Sequence, residues 1–135
     1  MLNIVAQKSV IDYWIKLAER NWKTAKSLLK LGHYDMCLFC CHLVLEKYLK
    51  ALVVLNIKDN PPHIHDLNRL AIIAKLEMSD ERKKFLNEIT KFNIQARYDD
   101  IKLAFYKKAT KDYTGKYVKI TEELIIWLKK EFRKQ

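Results

Sequence analysis

Glycine and proline are scarce in this chain, which has only two of each among its 135 residues. Turns that need a positive or a fixed φ must therefore be few, and this disfavours an all-β fold with many tight hairpins. Leu, Lys, Glu, Ala and Ile are abundant instead, which is typical of helices that pack into a bundle. We assign residues 1–135 to a single helical domain because a chain of this length is one domain.

Cysteine is also too scarce for a disulfide framework. Its three residues, Cys37, Cys40 and Cys41, form an odd number and lie within one apolar run, which favours a reducing compartment. No charged segment precedes an apolar stretch at the N-terminus, so we expect no signal peptide. The longest uncharged run, residues 36–45, is too short to span a bilayer. We therefore predict a cytoplasmic protein that does not enter a membrane.

Acidic residues are outnumbered by basic ones, which leaves a formal net charge of +10. Such a charge keeps a protein surface soluble. It is also typical of a protein that binds an anionic partner, such as RNA, a nucleotide or an acidic protein surface. Charge alone does not distinguish these partners.

Five segments carry apolar residues at helical spacing. They predict helices over residues 9–31, 34–56, 66–76, 80–96 and 111–132. Gly32 ends the first helix because glycine enters the left-handed region without strain. Pro61 and Pro62 break the chain after the second helix, and Ser79 caps the fourth. We therefore expect an all-α, up-and-down four-helix bundle with an additional short helix, the third, as a crossover element.

The second predicted helix is apolar almost all round, which indicates a central position in the bundle or a contact with a second subunit. Its few polar exceptions are His42, Glu46, Lys47 and Lys50. Glu46 and Lys50 have the i,i+4 spacing and the order that favour a charge pair along a helix.

Two short stretches, residues 61–67 and 96–100, place Arg, His and carboxylate side chains at predicted helix ends. Arg97 could hold a phosphate through paired hydrogen bonds, while the imidazole of His65 could donate or accept a proton. A simpler interpretation is that Arg97 pairs with Asp99 or Asp100 and that His65 caps the third helix.

A zinc site is a further alternative for the cysteines, with Cys37 and Cys40 joined by His63 and His65. The cysteines, however, lie in the middle of a predicted helix on one apolar face, where thiols behave as small hydrophobic groups. No Glu-x-x-His motif exists for a metal pair in the bundle core. We therefore predict neither a metal nor another cofactor.

Residues 97–110 are the least periodic part of the chain and lie between the last two predicted helices. A basic run begins there and comprises Lys102, Lys107, Lys108, Lys111, Lys116 and Lys119, with Tyr98, Phe105, Tyr106, Tyr113 and Tyr117 interleaved. Lysines can bind phosphates while aromatic rings stack on bases. The same pattern also fits a solvated surface whose tyrosines turn inward, so both interpretations stay open.

Four segments taken together resemble the HEPN domain family over nearly the whole chain. They are residues 12–26, residues 32–35 continuing into 45–52, residues 62–67 and residues 96–98. The resemblance implies a bundle of four to five helices, usually dimeric and often paired with a small nucleotidyltransferase in a toxin–antitoxin-like system. It also implies, for many members, a metal-independent ribonuclease whose motif is Arg followed after four to six residues by His.

This chain departs from that ribonuclease motif. Positions 102, 103 and 104 hold Lys, Leu and Ala, and no His follows His65. The resemblance therefore does not assign the nuclease activity to this chain. Some relatives carry a Tyr just after that His, which a partner nucleotidyltransferase modifies, and this property cannot be assigned either. Asp99 also stands where many relatives have Pro.

We therefore predict a HEPN-like nucleotide- or RNA-binding module, homodimeric and partnered by a small nucleotidyltransferase, without enzymatic activity of its own. The predicted ligand-binding residues are Arg97, Tyr98, Asp100, Lys102, His63, His65 and Lys47. The alternative is a metal-independent endoribonuclease with a rearranged site, for which Arg97 and His65 are the candidate catalytic residues. A third hypothesis is that the basic surface docks an acidic protein partner.

Overall fold

The computed structural model describes residues 1–134, which form six α-helices and no β-strand. The helices are α1 (Ile4–Leu31), α2 (Tyr34–Ile57), α3 (Leu67–Ile73), α4 (Asp80–Gln95), α5 (Asp99–Lys108) and α6 (Lys111–Arg133). The predicted all-α fold is confirmed, although the chain forms one short helix more than predicted. Within the described residues, no helix combines the length and the apolar character needed to cross a bilayer.

Helix α2 lies at the centre of the bundle and packs against α1, α3, α4 and α6. Four of its leucines, Leu38, Leu45, Leu49 and Leu52, are fully buried within the single chain. Burying each such side chain contributes roughly 1.5–3 kcal/mol. The central position predicted for this helix is confirmed, and its burial does not require a second subunit.

Local signals account for most helix ends. Helix α1 begins before the predicted residue 9 because the Asn3 side chain caps it, accepting a hydrogen bond from the Ala6 N–H at 2.8 Å. Gly32 ends α1 with a left-handed φ of 78°, as predicted. Ser79 caps α4, also as predicted, and its Oγ accepts a hydrogen bond from the backbone N–H of Arg82 at 3.2 Å.

The third helix is shorter than predicted and is capped by a different residue. Asp66 caps α3, and its side chain accepts from the Arg69 N–H at 3.3 Å, so the suggestion that His65 caps this helix is wrong. Lys75 has a positive φ of 62°, and the chain therefore leaves the helical path before residue 76.

The additional helix, α5, lies in the stretch that showed the weakest periodicity. It buries one side chain, Phe105, whose ring packs 5.7 Å from that of Phe92. A single buried anchor gives too few apolar positions for a visible helical pattern. Its charges were a usable signal, since acidic residues at the N-terminus and basic residues at the C-terminus complement the helix dipole. These are Asp99, Asp100, Lys107 and Lys108.

Candidate functional site

Glu46, on the central helix, is a carboxylate inside the bundle, with only 2% of its side chain exposed. Its Oε2 lies 3.2 Å from the Nζ atoms of both Lys47 and Lys50. Its Oε1 lies 2.7 Å from the Nδ1 of His65. A buried charge is tolerated only when it is paired and hydrogen-bonded, and both oxygens of Glu46 meet this condition.

Trp14, from α1, covers the two lysines. The Nζ of Lys47 lies 5.5 Å and that of Lys50 lies 5.3 Å from the centroid of the indole ring. Ammonium groups at this distance are attracted to the face of an aromatic ring. The indole therefore holds both positive charges beside Glu46 and joins α1 to this cluster.

His42 lies one turn before Glu46 on α2 and is fully buried. Its Nε2 donates a hydrogen bond of 2.8 Å to the backbone carbonyl of His65, because a carbonyl can only accept. The Nδ1 of His42 is therefore unprotonated in the neutral ring, and it lies 3.9 Å from Glu46 Oε1. Burial lowers the pKa of His42 and outweighs the opposing effects of the bond to His65 and of the Glu46 charge.

The charge of Glu46 is stabilised by its neighbours. Burial by itself raises the pKa of this carboxyl. The hydrogen bond from His65 and the positive charges of Lys47 and Lys50 together outweigh burial, so the pKa lies below its ordinary value. Glu46 is therefore a carboxylate at neutral pH and can only accept hydrogen bonds.

His65 is consequently held at two points, its backbone by His42 and its ring by Glu46. About half of its side chain, 49%, stays exposed. The ring nitrogen that faces Glu46 is Nδ1, which leaves Nε2 on the opposite edge of the ring. The structure thus orients an imidazole at the surface through a buried carboxylate.

The exposed part of His65 lines a cavity of about 350 Å³. This volume is at the lower end of the range for small-molecule sites. The lining comes from the segment before α3, from α4 and from the connection to α5: His65, Asp66, Thr90, Asn93, Ile94, Arg97 and Tyr98. Three residues predicted for the site, His65, Arg97 and Tyr98, therefore meet at one cavity.

The guanidinium of Arg97 lies 5.6 Å from the centroid of the Phe39 ring, a cation–π contact. Among residues 1–134, no carboxylate lies within 4.0 Å of it. Asp99 instead pairs with Lys102 at 3.3 Å. The ion pair of Arg97 with Asp99 or Asp100 is therefore absent from the described structure, and the fork of donors on Arg97 can bind an anionic ligand.

Asn93 and Tyr98 add two further groups to the cavity wall. Asn93 is 5% exposed, and its buried Oδ1 has no hydrogen-bond partner among residues 1–134. The side chain of Tyr98 is 61% exposed and presents an aromatic surface at the rim. The cavity thus combines an imidazole, a guanidinium, an amide and an aromatic ring.

The other residues predicted for the site lie outside this lining. Lys47 binds Glu46 behind His65 rather than facing the cavity. His63, Asp100 and Lys102 are exposed and flank the lining residues along the chain.

The sequence left two interpretations open for the basic run: a surface that binds nucleic acid, or a solvated surface whose tyrosines turn inward. Different residues of the run fit each one. Tyr117 and Phe105 are buried and Tyr113 is half-buried, and all three pack on Phe92 with ring centroids within 6.2 Å. These rings turn inward and are not available to stack on bases. Tyr98 and Tyr106 stay exposed, and Lys108 binds Glu88 at 2.9 Å.

The cysteines lie in a separate buried cluster with Ala25, between α1 and α2. The thiol of Cys37 donates to the carbonyl of Ala25 at 3.2 Å, which occupies it within the core. In the part of the chain that the structure describes, no group of three or more His, Cys, Asp or Glu side chains is placed to hold a metal ion.

Sequence reasoning did not assign His42 or Glu46 to the site. Both interrupt an otherwise apolar helix, and this was the available signal, because a polar residue on a buried helix face must find a partner. The sequence did not reveal that this partner is His65.

Comparison with known proteins agrees with this architecture. The fold resembles that in the crystal structure of the protein TT1696 from Thermus thermophilus, with a TM-score of 0.74 and 19% identity over 89% of this chain and 96% of that one. At this identity the likeness concerns the fold alone. No curated protein sequence matches the chain significantly. The sequence model of the HEPN domain matches residues 11–131, and the chain therefore belongs to the HEPN domain family.

Proposed function

We propose that this protein is a HEPN binding module that binds a phosphate of a nucleotide or of RNA at Arg97, in the cavity that His65 also lines, without catalysis of its own. One observation carries the proposal. An imidazole held by a buried carboxylate and a guanidinium with no carboxylate partner among residues 1–134 line the same cavity.

The roles of the lining residues follow from their chemistry. Arg97 binds phosphate oxygens through two parallel hydrogen bonds, and His65 forms a hydrogen bond with a neighbouring group of the ligand. Tyr98 stacks on a base at the rim. His63, Asp100 and Lys102 contact the parts of a longer ligand that extend beyond the cavity. The net charge of +10 attracts an anionic ligand from a distance.

The partners belong to the same proposal. We expect a homodimer and a complex with a small nucleotidyltransferase, in a toxin–antitoxin-like system. Exposed apolar side chains on α4 and α5, such as Ile94 and Leu103, support protein contacts of these helices. The free, buried cysteines support a reducing, cytoplasmic environment.

A second candidate function, a metal-independent endoribonuclease, is favoured by the bond between Glu46 and His65. A carboxylate that orients an imidazole is suited to a general base, which here would take the proton of a ribose 2′-hydroxyl as the 2′-oxygen attacks the phosphorus. The bond from phosphorus to the 5′-oxygen would break, and the protonated imidazole would return the proton to that leaving oxygen. Arg97 would then stabilise the charge that develops on the phosphate.

The two functions are separated by incubating the protein with a long labelled RNA in the presence of a chelator. Wild type is compared with Arg97→Ala and His65→Ala, and Arg20→Ala serves as a matched control because Arg20 is an exposed arginine on α1. The binding module predicts intact RNA that wild type and Arg20→Ala retain and Arg97→Ala releases. Retention should also fall steeply between low and moderate salt.

Cleavage that survives the chelator and disappears in both Arg97→Ala and His65→Ala would instead establish the ribonuclease. If the wild type neither cleaves nor retains the RNA, both functions are overturned. The remaining hypothesis is then that the basic surface docks an acidic protein partner. The partner proposal is tested separately, by light scattering for the dimer and by co-purification with a small nucleotidyltransferase.

A further inference from the structure

Two residues on one face of α2, a helical turn apart, determine how His65 is presented. His42 donates to the His65 carbonyl at 2.8 Å, and Glu46 accepts from the His65 ring at 2.7 Å. Since Glu46 is ionised, it has no proton to give, and the shared proton belongs to Nδ1 of His65. A neutral imidazole carries only one proton, so its Nε2 must then be an acceptor.

The lysines determine which oxygen of Glu46 faces His65. Lys47 and Lys50 both contact Oε2, which leaves Oε1 for the imidazole. Trp14 holds the two ammonium groups in place from α1. The two ammonium groups are hydrogen-bond donors, so the atom that occupies the Oε2 position must be an acceptor oxygen, in Glu46 or in a substitute for it.

We propose that Glu46 is a positioning residue that keeps the neutral ring of His65 in the Nδ1–H form, so that Nε2 faces the cavity as a hydrogen-bond acceptor. The cavity then recognises a phosphate through Arg97 and, next to it, a donor group of the ligand such as a hydroxyl. This identification of the ligand rests on the proposed function, whereas the role of Glu46 in orienting His65 does not.

Glu46→Gln provides a sharp test because it changes one oxygen to an amide nitrogen with almost no change in shape. The two ammonium groups repel the amide NH₂ and keep the remaining oxygen at the Oε2 position. The NH₂ group then faces His65 and donates to Nδ1, which can accept only if the ring proton moves to Nε2. The substitution therefore converts the cavity-facing nitrogen of His65 from an acceptor into a donor.

The experiment is ¹⁵N NMR of histidine-labelled protein at a mildly alkaline pH, with the His65 signals assigned by their loss in His65→Gln. Wild type should show His65 with a protonated Nδ1 and an unprotonated Nε2, and Glu46→Gln should show the reverse. The exposed His63 ring, which makes no hydrogen bond within residues 1–134, serves as the internal reference for an unconstrained imidazole. A wild-type His65 protonated on Nε2 would overturn the proposal, even if Glu46→Gln failed to fold.

RNA retention supplies the second readout. Glu46→Gln should weaken retention about tenfold, the scale of one hydrogen bond with an unfavourable partner. If RNA is bound through Arg97 but wild-type His65 carries its proton on Nε2, the positioning role fails and the proposed function stands. If His65 has the expected form but no variant binds RNA, the proposed function fails and the positioning role of Glu46 stands.

Discussion

The Nζ of Lys50 lies 3.2 Å from the Oε2 of Glu46, one helical turn away, and both side chains are almost completely buried. The sequence predicts this pair, and the structure confirms the contact. A pair of this spacing on an exposed helix stabilises it by only about 0.2–0.5 kcal/mol. Because this pair is buried, the loss of one partner matters far more than the pair itself.

Substitutions of the buried pair should therefore be strongly non-additive. Glu46→Leu leaves Lys50 buried without its anion and should lower the free energy of unfolding by about 3–5 kcal/mol. Lys50→Met should cost less, since Glu46 keeps Lys47 and His65. The double variant should be more stable than Glu46→Leu alone, because it removes both charges. Urea denaturation of the three variants measures this, and strictly additive losses would contradict the pairing.

Acid should destabilise the protein in two steps, which follow from two lowered pKa values. Burial keeps the pKa of His42 in the folded protein below its ordinary 6.5. As the pH falls below this value, His42 is protonated in the unfolded chain before it is protonated in the folded protein, and the free energy of unfolding decreases. Glu46, with a pKa below its ordinary 4.5, adds a second decline at lower pH. Both contributions are fully present at about pH 7 and above.

Urea unfolding measured from neutral to acidic pH would show these two declines. His42→Gln keeps a donor for the His65 carbonyl but cannot titrate, so it should remove only the upper decline. A stability that stays constant between neutral pH and about pH 5 in wild type would show that His42 does not stay neutral in the fold.

The core prediction concerns Leu49, which is fully buried on the central helix. Leu49→Ala should lower the free energy of unfolding by roughly 2–5 kcal/mol, and Leu49→Lys should prevent folding, because the charge has no partner there. The matched control is Leu31→Lys, since Leu31 is 70% exposed at the end of α1. Thermal unfolding by circular dichroism distinguishes them, and a stable Leu49→Lys protein would refute the central position of α2.

The cavity prediction uses two tyrosines of equal exposure. Tyr98 and Tyr106 are both 61% exposed, but only Tyr98 lines the cavity with His65 and Arg97. Tyr98→Ala should weaken RNA binding by about 1–3 kcal/mol, the scale of stacking on one base, while Tyr98→Phe should not. Tyr106→Ala should bind like the wild type in the same titration, and equal losses at both positions would place the RNA elsewhere.

Most of the helices could be predicted because the signals for them are local. The almost wholly apolar surface of α2, the left-handed Gly32 and the Ser79 cap each depend on a few neighbouring residues, and each appears in the structure as expected. Helix α5 could not be predicted from periodicity, because its place is decided by the packing of Phe105 on Phe92, a residue from another helix.

The candidate site was likewise predictable only where its signals are local in the sequence. The sequence by itself determined a basic helical domain with an almost wholly apolar central helix, and it singled out Arg97, Tyr98 and His65, since composition and short motifs carry that information. Only the tertiary structure decided that Glu46 is the partner of His65, a residue 19 positions further along the chain. The physical reason is that a buried carboxylate must be neutralised by whichever groups the folded chain brings to it, and here the chain returns past α2 and places His65 beside it.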